Sequence, residues 1–331
     1  MNVDITSIGG AAYDVFVRAD HTIGECEGGE KQIQFPLGAK IKVKSVVQSC
    51  GGGATNTSVG FSRLGLNARF CGIVGNDEWG QNILKHLEKE GVLTDSAIVV
   101  EDEISSFSII LVDAVSGKRT ILYSPNVNAH MCDPVFPREI LRDSSWIFLN
   151  HLSDVSCVIL DDLLELVQRK ETKFAWNPGG SQIRDGFKDQ LLANLLKQTD
   201  ILFLNSEEAK KFTQSDSIED ALKKGTQAGV KVMCITDGSN GASITDGKTV
   251  WKCVPEQEIK VVDTTGAGDS FATGVTWAIV GGRDLSEALR VGMINSASVI
   301  GKVGTQEGLL TETEISKRLS SSTHEVTNSS I

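Results

Sequence analysis

The residues best suited to chemistry form one glycine turn late in the chain, Asp263-Thr-Thr-Gly-Ala-Gly-Asp-Ser-Phe. These small residues run directly into an amphipathic stretch that begins near Ser270, so the turn is expected to open a helix. Glycines let consecutive backbone N–H groups point one way at the positive end of a helix, an arrangement that binds phosphate oxygens. Asp269 could simply cap this helix, or it could accept a proton from a substrate hydroxyl during phosphoryl transfer.

The same nine residues resemble the C-terminal signature of the ribokinase-like (PfkB) carbohydrate kinases. The resemblance implies that Asp269 is the catalytic base, and that the backbone of Gly266, Ala267 and Gly268 forms an anion hole for the transferring phosphoryl group. It also implies the reaction, which is transfer of the γ-phosphoryl group of ATP, with Mg²⁺, to a hydroxymethyl oxygen.

A second glycine turn, Gly51-Gly-Gly-Ala-Thr-Asn-Thr-Ser-Val-Gly-Phe-Ser-Arg-Leu-Gly, resembles the N-terminal signature of the same family. By that resemblance Gly52 and Asn56 line the sugar site, because glycine permits close approach and asparagine offers both a donor and an acceptor. The alternative is a glycine-started helix with Asn56 on its polar face. Asp14 matches an aspartate that takes two sugar hydroxyls in relatives, and its alternative is a turn residue.

Two further matches concern ions. Asn205 and Glu208 resemble an Asn-x-x-Glu motif that organises Mg²⁺ and phosphate through bound water, although Asn205 could also be an ordinary helix cap. Asp263 and Thr265 take the positions beside which family members often bind K⁺. The sequence therefore predicts a Mg²⁺ contact at Glu208 and leaves K⁺ open.

Nucleotide contacts are expected after a later strand, where Thr236, Gly238 and Gly241 match the family's Thr-x-Gly-x-x-Gly. Two strands joined by a glycine turn would show the same residues without a ligand. Asn295, in the helix after the anion hole, matches a position near the nucleotide in relatives. A core-facing asparagine is the alternative for that residue.

The substrate is expected to be an unphosphorylated ribose- or fructose-like sugar. Ribokinase and the kinases of sugar phosphates carry lysine where this chain has Gly53, and a second phosphate would need a cation. A nucleoside is the alternative, although adenosine kinases usually carry Asn where Thr265 stands. A binding or regulatory protein without catalysis is a further alternative, which the intact Asp269 disfavours.

Apolar strands alternate with helical stretches along most of the chain, which predicts an α/β fold of three layers, α/β/α, around a mostly parallel sheet. Strands are expected at 5–9, 68–72, 146–149, 174–176, 201–204 and 232–235. Helices are expected near 54–65, 78–90, 157–169, 189–197, 206–213, 217–228, 270–281, 284–301 and 311–319.

Two β-rich patches at about 12–48 and 98–124 interrupt this alternation, and we expect them to form one small sheet, termed the lid. In relatives such lids often meet the lid of a second subunit, so a homodimer is expected. The kinase domain is predicted to span 1–319, and the polar residues 320–331 are predicted to form a flexible tail.

Composition excludes several classes of protein. The chain has 331 residues and a formal charge of −11, which disfavours nucleic acid and anionic membranes as partners. It has no run of 18 apolar residues and no signal peptide, so a cytoplasmic protein is expected. The seven cysteines form no Cys-x-x-Cys, and neither a Walker A loop nor a Gly-x-Gly-x-x-Gly after the first strand is present.

Overall fold

The computed structural model describes residues 3–331 except 20–21, 26–30, 113–118, 133–139, 153–157, 170–171, 256–260 and 323. The strands in these ranges are β1 (Val3–Ile8), β2 (Ala12–Ala19), β3 (Thr22–Glu25), β4 (Lys31–Gln34), β5 (Val43–Gly51), β6 (Ala68–Cys71), β7 (Ile73–Gly75), β8 (Ile98–Val100), β9 (Phe107–Val112), β10 (Arg119–Ser124), β11 (Ser144–Leu149), β12 (Lys173–Trp176), β13 (Ile201–Asn205), β14 (Val232–Thr236), β15 (Ala242–Thr245), β16 (Thr249–Cys253) and β17 (Val326–Ser330).

The central sheet has nine strands over the described residues, in the order β17-β16-β15-β14-β13-β12-β11-β1-β6. The six strands from β14 to β6 are parallel, and β15, β16 and β17 are antiparallel. Runs such as Ile201-Leu-Phe-Leu are buried along their whole length, because both faces of a parallel sheet are covered.

The helices are α1 (Gly53–Arg63), α2 (Glu78–Lys89), α3 (Val158–Gln168), α4 (Gly180–Asp185), α5 (Gln190–Leu196), α6 (Ser206–Thr213), α7 (Ile218–Gln227), α8 (Ala267–Val280), α9 (Leu285–Ile300) and α10 (Glu312–Ser321). One core cluster joins the sheet to α3, α5, α6 and α7, and another joins it to α1, α8, α9 and α10. The predicted three-layer α/β/α architecture is therefore confirmed. Of these helices only α4 was not expected, because it begins within a pair of glycines that is typical of a loop.

The lid forms a separate four-stranded sheet over the described residues, in the order β10-β9-β2-β5. Both predicted patches contribute strands, and β2 from the first patch pairs in parallel with β9 from the second. Two parts of the patches lie elsewhere: β8 pairs with β7, and β3 with β4 forms a hairpin of its own. Residues 20–21, 26–30 and 113–118 of the predicted lid are outside the described residues.

The end of the chain differs from the expectation of a flexible tail. Val326–Ser330 form β17, which pairs with β16 along five residues at the edge of the central sheet. Val326 also packs against the core cluster on the α8 side. An open strand edge and one apolar side chain are enough to order this polar segment, which composition alone does not reveal.

Among the described helices, none has the length and apolarity needed to cross a membrane.

Candidate active site

The start of α8 lies at the centre of the site. Gly266 precedes the helix with a φ of 77°, a left-handed conformation that favours glycine. The first N–H to bond within the helix is that of Ser270, which donates to the carbonyl of Gly266 at 2.9 Å. The N–H groups of Gly268 and Asp269 therefore remain at the positive end of the helix for an external acceptor. A Cβ at Gly268 would meet no atom within 4 Å, so this turn faces open space.

Two cavities meet at this helix start. The larger, of about 600 Å³, is lined by Ala267 and Gly268, and the smaller, of about 300 Å³, is lined by Gly266 and Asp269. The backbone turn is therefore shared between them, and the carboxylate of Asp269 faces the smaller cavity. Groups bound in the two cavities would therefore lie on either side of this turn.

The smaller cavity brings together the residues predicted to bind sugar. Asp14, Gly52 and Asn56 line it beside Asp269. Gly52 has a φ of 97°, and a Cβ there would stand 2.5 Å from the carbonyl oxygen of Gly10, so the close approach needs glycine. The lid and the main domain both contribute walls, because Asp14 lies on β2 and Asn56 on α1.

Burial governs the charge of both carboxyl groups in this cavity. Asp14 is 6% exposed, and burial raises its pKa to about 6, opposed by a hydrogen bond from Ser108 and assisted by the charge of Asp263. Burial likewise raises the pKa of Asp269 to about 6, opposed by the hydrogen bond from Asn56. Both groups are therefore mainly ionised at pH 7 but titrate near the physiological range.

Asn56 is buried, and its amide contacts the predicted base directly. Its Nδ2 donates to Oδ2 of Asp269 at 2.8 Å. Its Oδ1 accepts from the hydroxyl of Thr305 at 2.8 Å and from Nε2 of Gln306 at 3.0 Å. The sequence predicts that both the donor and the acceptor of this amide are available to the sugar. In the structure the acceptor is not available, because the oxygen already accepts two hydrogen bonds.

The larger cavity is lined by Thr236, Gly238 and Gly241, the three residues of the glycine motif. Its remaining wall is mostly apolar and includes Phe271, Met293 and Ile300. Such a wall with a few polar groups is typical of a site for a flat organic ligand.

Asn295 does not reach this cavity, contrary to the expectation from the family motif. It is fully buried, and its Nδ2 donates to the carbonyl of Ser270 while its Oδ1 accepts from the N–H of Leu310. The amide thus fastens α9 to α8 and to the segment before α10. The neighbouring Ser296 lines the cavity instead.

Asn205 and Glu208 form a capping box at the start of α6. The Glu208 N–H donates to Oδ1 of Asn205 at 2.9 Å, and the Asn205 N–H donates to Oε2 of Glu208 at 2.9 Å. Both residues also line a small cavity of about 130 Å³ that reaches Thr236 and Gly268. Burial raises the pKa of Glu208, opposed by its bonds with Asn205. Asn205 therefore caps α6, which was the alternative for this residue. Through the small cavity, Asn205 and Glu208 also lie beside the start of α8.

Asp263 and Thr265 close the turn that leads into α8. Oδ1 of Asp263 accepts from the N–H and the hydroxyl of Thr265, at 2.9 and 2.7 Å, and Oδ2 accepts from the N–H of Gly304 at 3.4 Å. Over the described residues, no three His, Cys, Asp or Glu side chains are grouped as a metal site.

Some cavity residues are not among those predicted to bind a ligand. Ser108 and Tyr123 reach the smaller cavity from the lid, and Asn128 and His151 reach it from the main domain. His151 follows β11 by two residues, and the carboxyl end of a parallel strand is a usual position for ligand contacts, so this signal was available. The lid residues could be found only once strand register was known.

Comparison with known proteins agrees with this geometry. Residues 17–312 match the model of the pfkB family of carbohydrate kinases. The chain is 34% identical over 255 residues to an uncharacterised sugar kinase of Archaeoglobus fulgidus, covering 76% of this chain and 98% of that one.

Two solved structures have a similar fold. The ribokinase of Arabidopsis thaliana, complexed with ribose and ATP, has a TM-score of 0.79 at 22% identity, covering 96% of this chain and 99% of that one. The nucleoside kinase of Methanocaldococcus jannaschii has a TM-score of 0.77 at 22% identity, covering 97% and 99%. The chain thus belongs to the pfkB family of carbohydrate kinases, ATP-dependent enzymes that phosphorylate an alcohol group of a sugar or nucleoside.

Proposed function

We propose that this enzyme transfers the γ-phosphoryl group of ATP to a hydroxymethyl group of an unphosphorylated ribose- or fructose-like sugar. One observation carries the proposal: the N–H groups at the start of α8 lie between the two cavities, with Asp269 on the side of the smaller one. ATP then occupies the larger cavity and the sugar the smaller. The phosphoryl group crosses at the helix start, where its charge meets the positive end of the dipole.

Asp269 acts as the general base in this proposal. Its pKa of about 6 keeps it ionised at pH 7, yet closer to the working pH than an ordinary aspartate. As the sugar oxygen attacks the γ-phosphorus, Asp269 takes the hydroxyl proton. The N–H groups of Gly268 and Asp269 hold the charge on the phosphoryl oxygens, which needs no movement of the backbone.

Ions enter the proposal through oxygen ligands. Glu208 offers one half-buried carboxylate beside Gly268, and Mg²⁺ is usually held by one or two carboxylates together with substrate phosphates. Mg²⁺ bound there through water would neutralise phosphate charge. Asp263 and Thr265 would hold K⁺ beside the turn, and assays with and without K⁺ test this role.

An unphosphorylated substrate is favoured by the charge of the smaller cavity. Among the described residues that line it there is no Lys or Arg, whereas Asp14 and Asp269 are both present. A second phosphate would meet two carboxylates without a cation. Gly53 cannot simply be exchanged for a basic residue, because a Cβ there would stand 3.0 Å from Oδ1 of Asn150.

A nucleoside is the second candidate for the smaller cavity. Ile110, Ile121 and Tyr123 form an apolar wall on the lid side, against which a nucleobase could pack. Asp14 and Asn56 would then hold the ribosyl hydroxyls in the same way.

The lid also supports a homodimer. Val46 and Leu122 lie on the lid face opposite the cavity, and they are 51% and 53% exposed. Apolar side chains on a small open sheet are stabilised when a second sheet covers them, and a second copy of the lid offers the same surface.

We also propose a cytoplasmic location. Four described cysteines are buried as free thiols, and thiols stay reduced in the cytosol.

A screen for ADP release over ribose, fructose, their phosphates and nucleosides tests the proposal. We expect a higher kcat/KM for an unphosphorylated sugar than for fructose 1- or 6-phosphate. A preference for the phosphorylated sugar would mean that a basic residue such as Lys40 reaches the site. A nucleoside preference would select the second candidate.

A further inference from the structure

The hydrogen bond from Asn56 to Asp269 depends on which way the amide of Asn56 faces. If the amide were turned over, Oδ1 would face the carboxylate of Asp269, and two acceptors would repel one another. The 2.8 Å bond from Nδ2 to Oδ2 therefore exists only in one of two orientations that differ little in shape. Some other contact must select that orientation.

Thr305 and Gln306 make that selection. Oδ1 of Asn56 has no proton, so the hydroxyl of Thr305 and the Nε2 group of Gln306 must donate to it. Gln306 is itself oriented, because its Oε1 lies 2.7 Å from Nε2 of His86 and accepts from that ring nitrogen. The chain of donors thus runs from His86 through Gln306 and Asn56 to Asp269, with each amide fixed by its neighbour.

We propose that Thr305 and Gln306 are positioning residues that fix the amide of Asn56 so that it donates to the catalytic base Asp269. This rests on the proposed function, because it assumes that Asp269 is the base. The bond holds the carboxylate in place for the substrate hydroxyl and favours its ionised form against the cost of burial. Asn56 then has one N–H left, so it can only donate to a substrate.

The surroundings are compatible with this assignment. Asn56 is 3% exposed and Gln306 is 4% exposed, so water offers little competition for these bonds. The titratable groups that share the cavity with Asp269 are Asp14, Tyr123 and His151, and Asp263 lies on the turn before it. None of these four donates to Asp269 among the hydrogen bonds of the described residues, which leaves Asn56 as its side-chain donor.

The most direct test replaces the hydrogen-bond donor at position 306 by an acceptor. In Gln306→Glu the side chain accepts from His86 as before, but it presents an oxygen to Asn56. We expect the amide to turn over and Oδ1 to face Asp269. The acid limb of kcat against pH should move up by about one unit, which alone lowers kcat at pH 7 about twofold. Loss of the bond that holds the carboxylate in place should bring the total fall in kcat to about tenfold. Gln306→Met, which removes the donor without reversing it, should have a smaller effect on both.

A second pair of variants keeps the test independent of position 306. Thr305→Val removes one donor at nearly constant shape and should lower kcat about three- to tenfold, which corresponds to one hydrogen bond. Thr305→Ser keeps the hydroxyl and should retain the wild-type kcat. The KM for ATP should be unchanged in all four variants, and their melting temperatures show which of them fold as the wild type does.

The outcomes separate the two proposals. If Asp269→Asn is inactive but Gln306→Glu keeps the wild-type kcat and acid limb, the positioning role is wrong and the base stands. If Asp269→Asn is active, the base assignment fails and takes this inference with it. If Gln306→Glu does not fold, the Thr305 pair decides, and equal kcat values for the Ser and Val variants contradict the inference.

Discussion

At the scale of single residues, the two carboxyl groups of the smaller cavity determine how activity depends on pH. Asp269 must be ionised to accept a proton, and burial raises its pKa to about 6. We therefore expect kcat to fall as the pH drops through about 6, two units above the range of an ordinary aspartate. The measurement is kcat from pH 5 to 8 with saturating sugar and ATP. A kcat that stays constant from pH 8 down to pH 5 would contradict a buried base.

Removal of the Asp14 carboxylate should weaken the binding of sugar and leave the binding of ATP unaffected. Its carboxylate offers two acceptor oxygens to neighbouring hydroxyls, and loss of a hydrogen bond to a charged group costs about 1.5–3 kcal/mol. Asp14→Ala should raise the KM for sugar about ten- to a hundredfold and leave the KM for ATP unchanged. Asp14→Asn is the matched control, which keeps the shape and one acceptor. An equal rise in both KM values would place Asp14 outside the sugar site.

The sequence indicated most of these residues but not their contacts. The glycine turns were recognisable because a positive φ at Gly52 and Gly266 restricts the residue type. For Asn295 the structure favours the core-facing alternative, which the sequence leaves open because a buried amide that joins two helices and one that touches a ligand look the same there. The bonds of Asn56 with Thr305 and Gln306 join residues about 250 positions apart, which no local pattern encodes.

At the scale of elements, the lid is where sequence periodicity worked best. Alternation of polar and apolar residues identified its strands, while their pairing depended on contacts between distant segments. The last strand was missed for the same reason, since β17 is ordered by the edge that β16 offers rather than by its own composition.

The lid should also set the oligomeric state. Leu122→Lys places a charge on the exposed apolar face, which a second lid would have to bury at a cost of several kcal/mol. We expect a dimer for the wild type and a monomer for the variant, by light scattering at assay concentration. Lys85→Glu on α2 is a control for a charge change at an exposed position outside the lid. A wild-type monomer would contradict the dimer and leave the lid unaffected.

At the scale of the whole molecule, the ionised carboxylate of Asp269 should lower the free energy of unfolding. The folded pKa of Asp269 is about 6 against 3.8 for the ordinary group, so the unfolded chain releases this proton at lower pH than the folded protein does. The ionised carboxylate then costs up to about 3 kcal/mol above pH 6, and nothing below about pH 4.

Asp269→Asn should remove that cost. We expect the variant to be more stable than the wild type at pH 7–8, and the difference to shrink as the pH falls from 6 to 4. Urea unfolding at several pH values measures it. A variant that is less stable than the wild type at pH 8 would show that the carboxylate is stabilised by more than its bond from Asn56.

The central claim is that Asp269 takes the proton while the start of α8 holds the phosphoryl group. The kinetics of Asp269→Asn test this claim most directly. Asparagine keeps the shape and can cap the helix, but it cannot accept the proton. The proposal predicts a loss of about 10²–10⁴ in kcat with the sugar selected by the ADP-release screen, and an unchanged affinity for ATP. A variant whose kcat stays within about threefold of the wild type would contradict it, because general-base loss has a far larger effect.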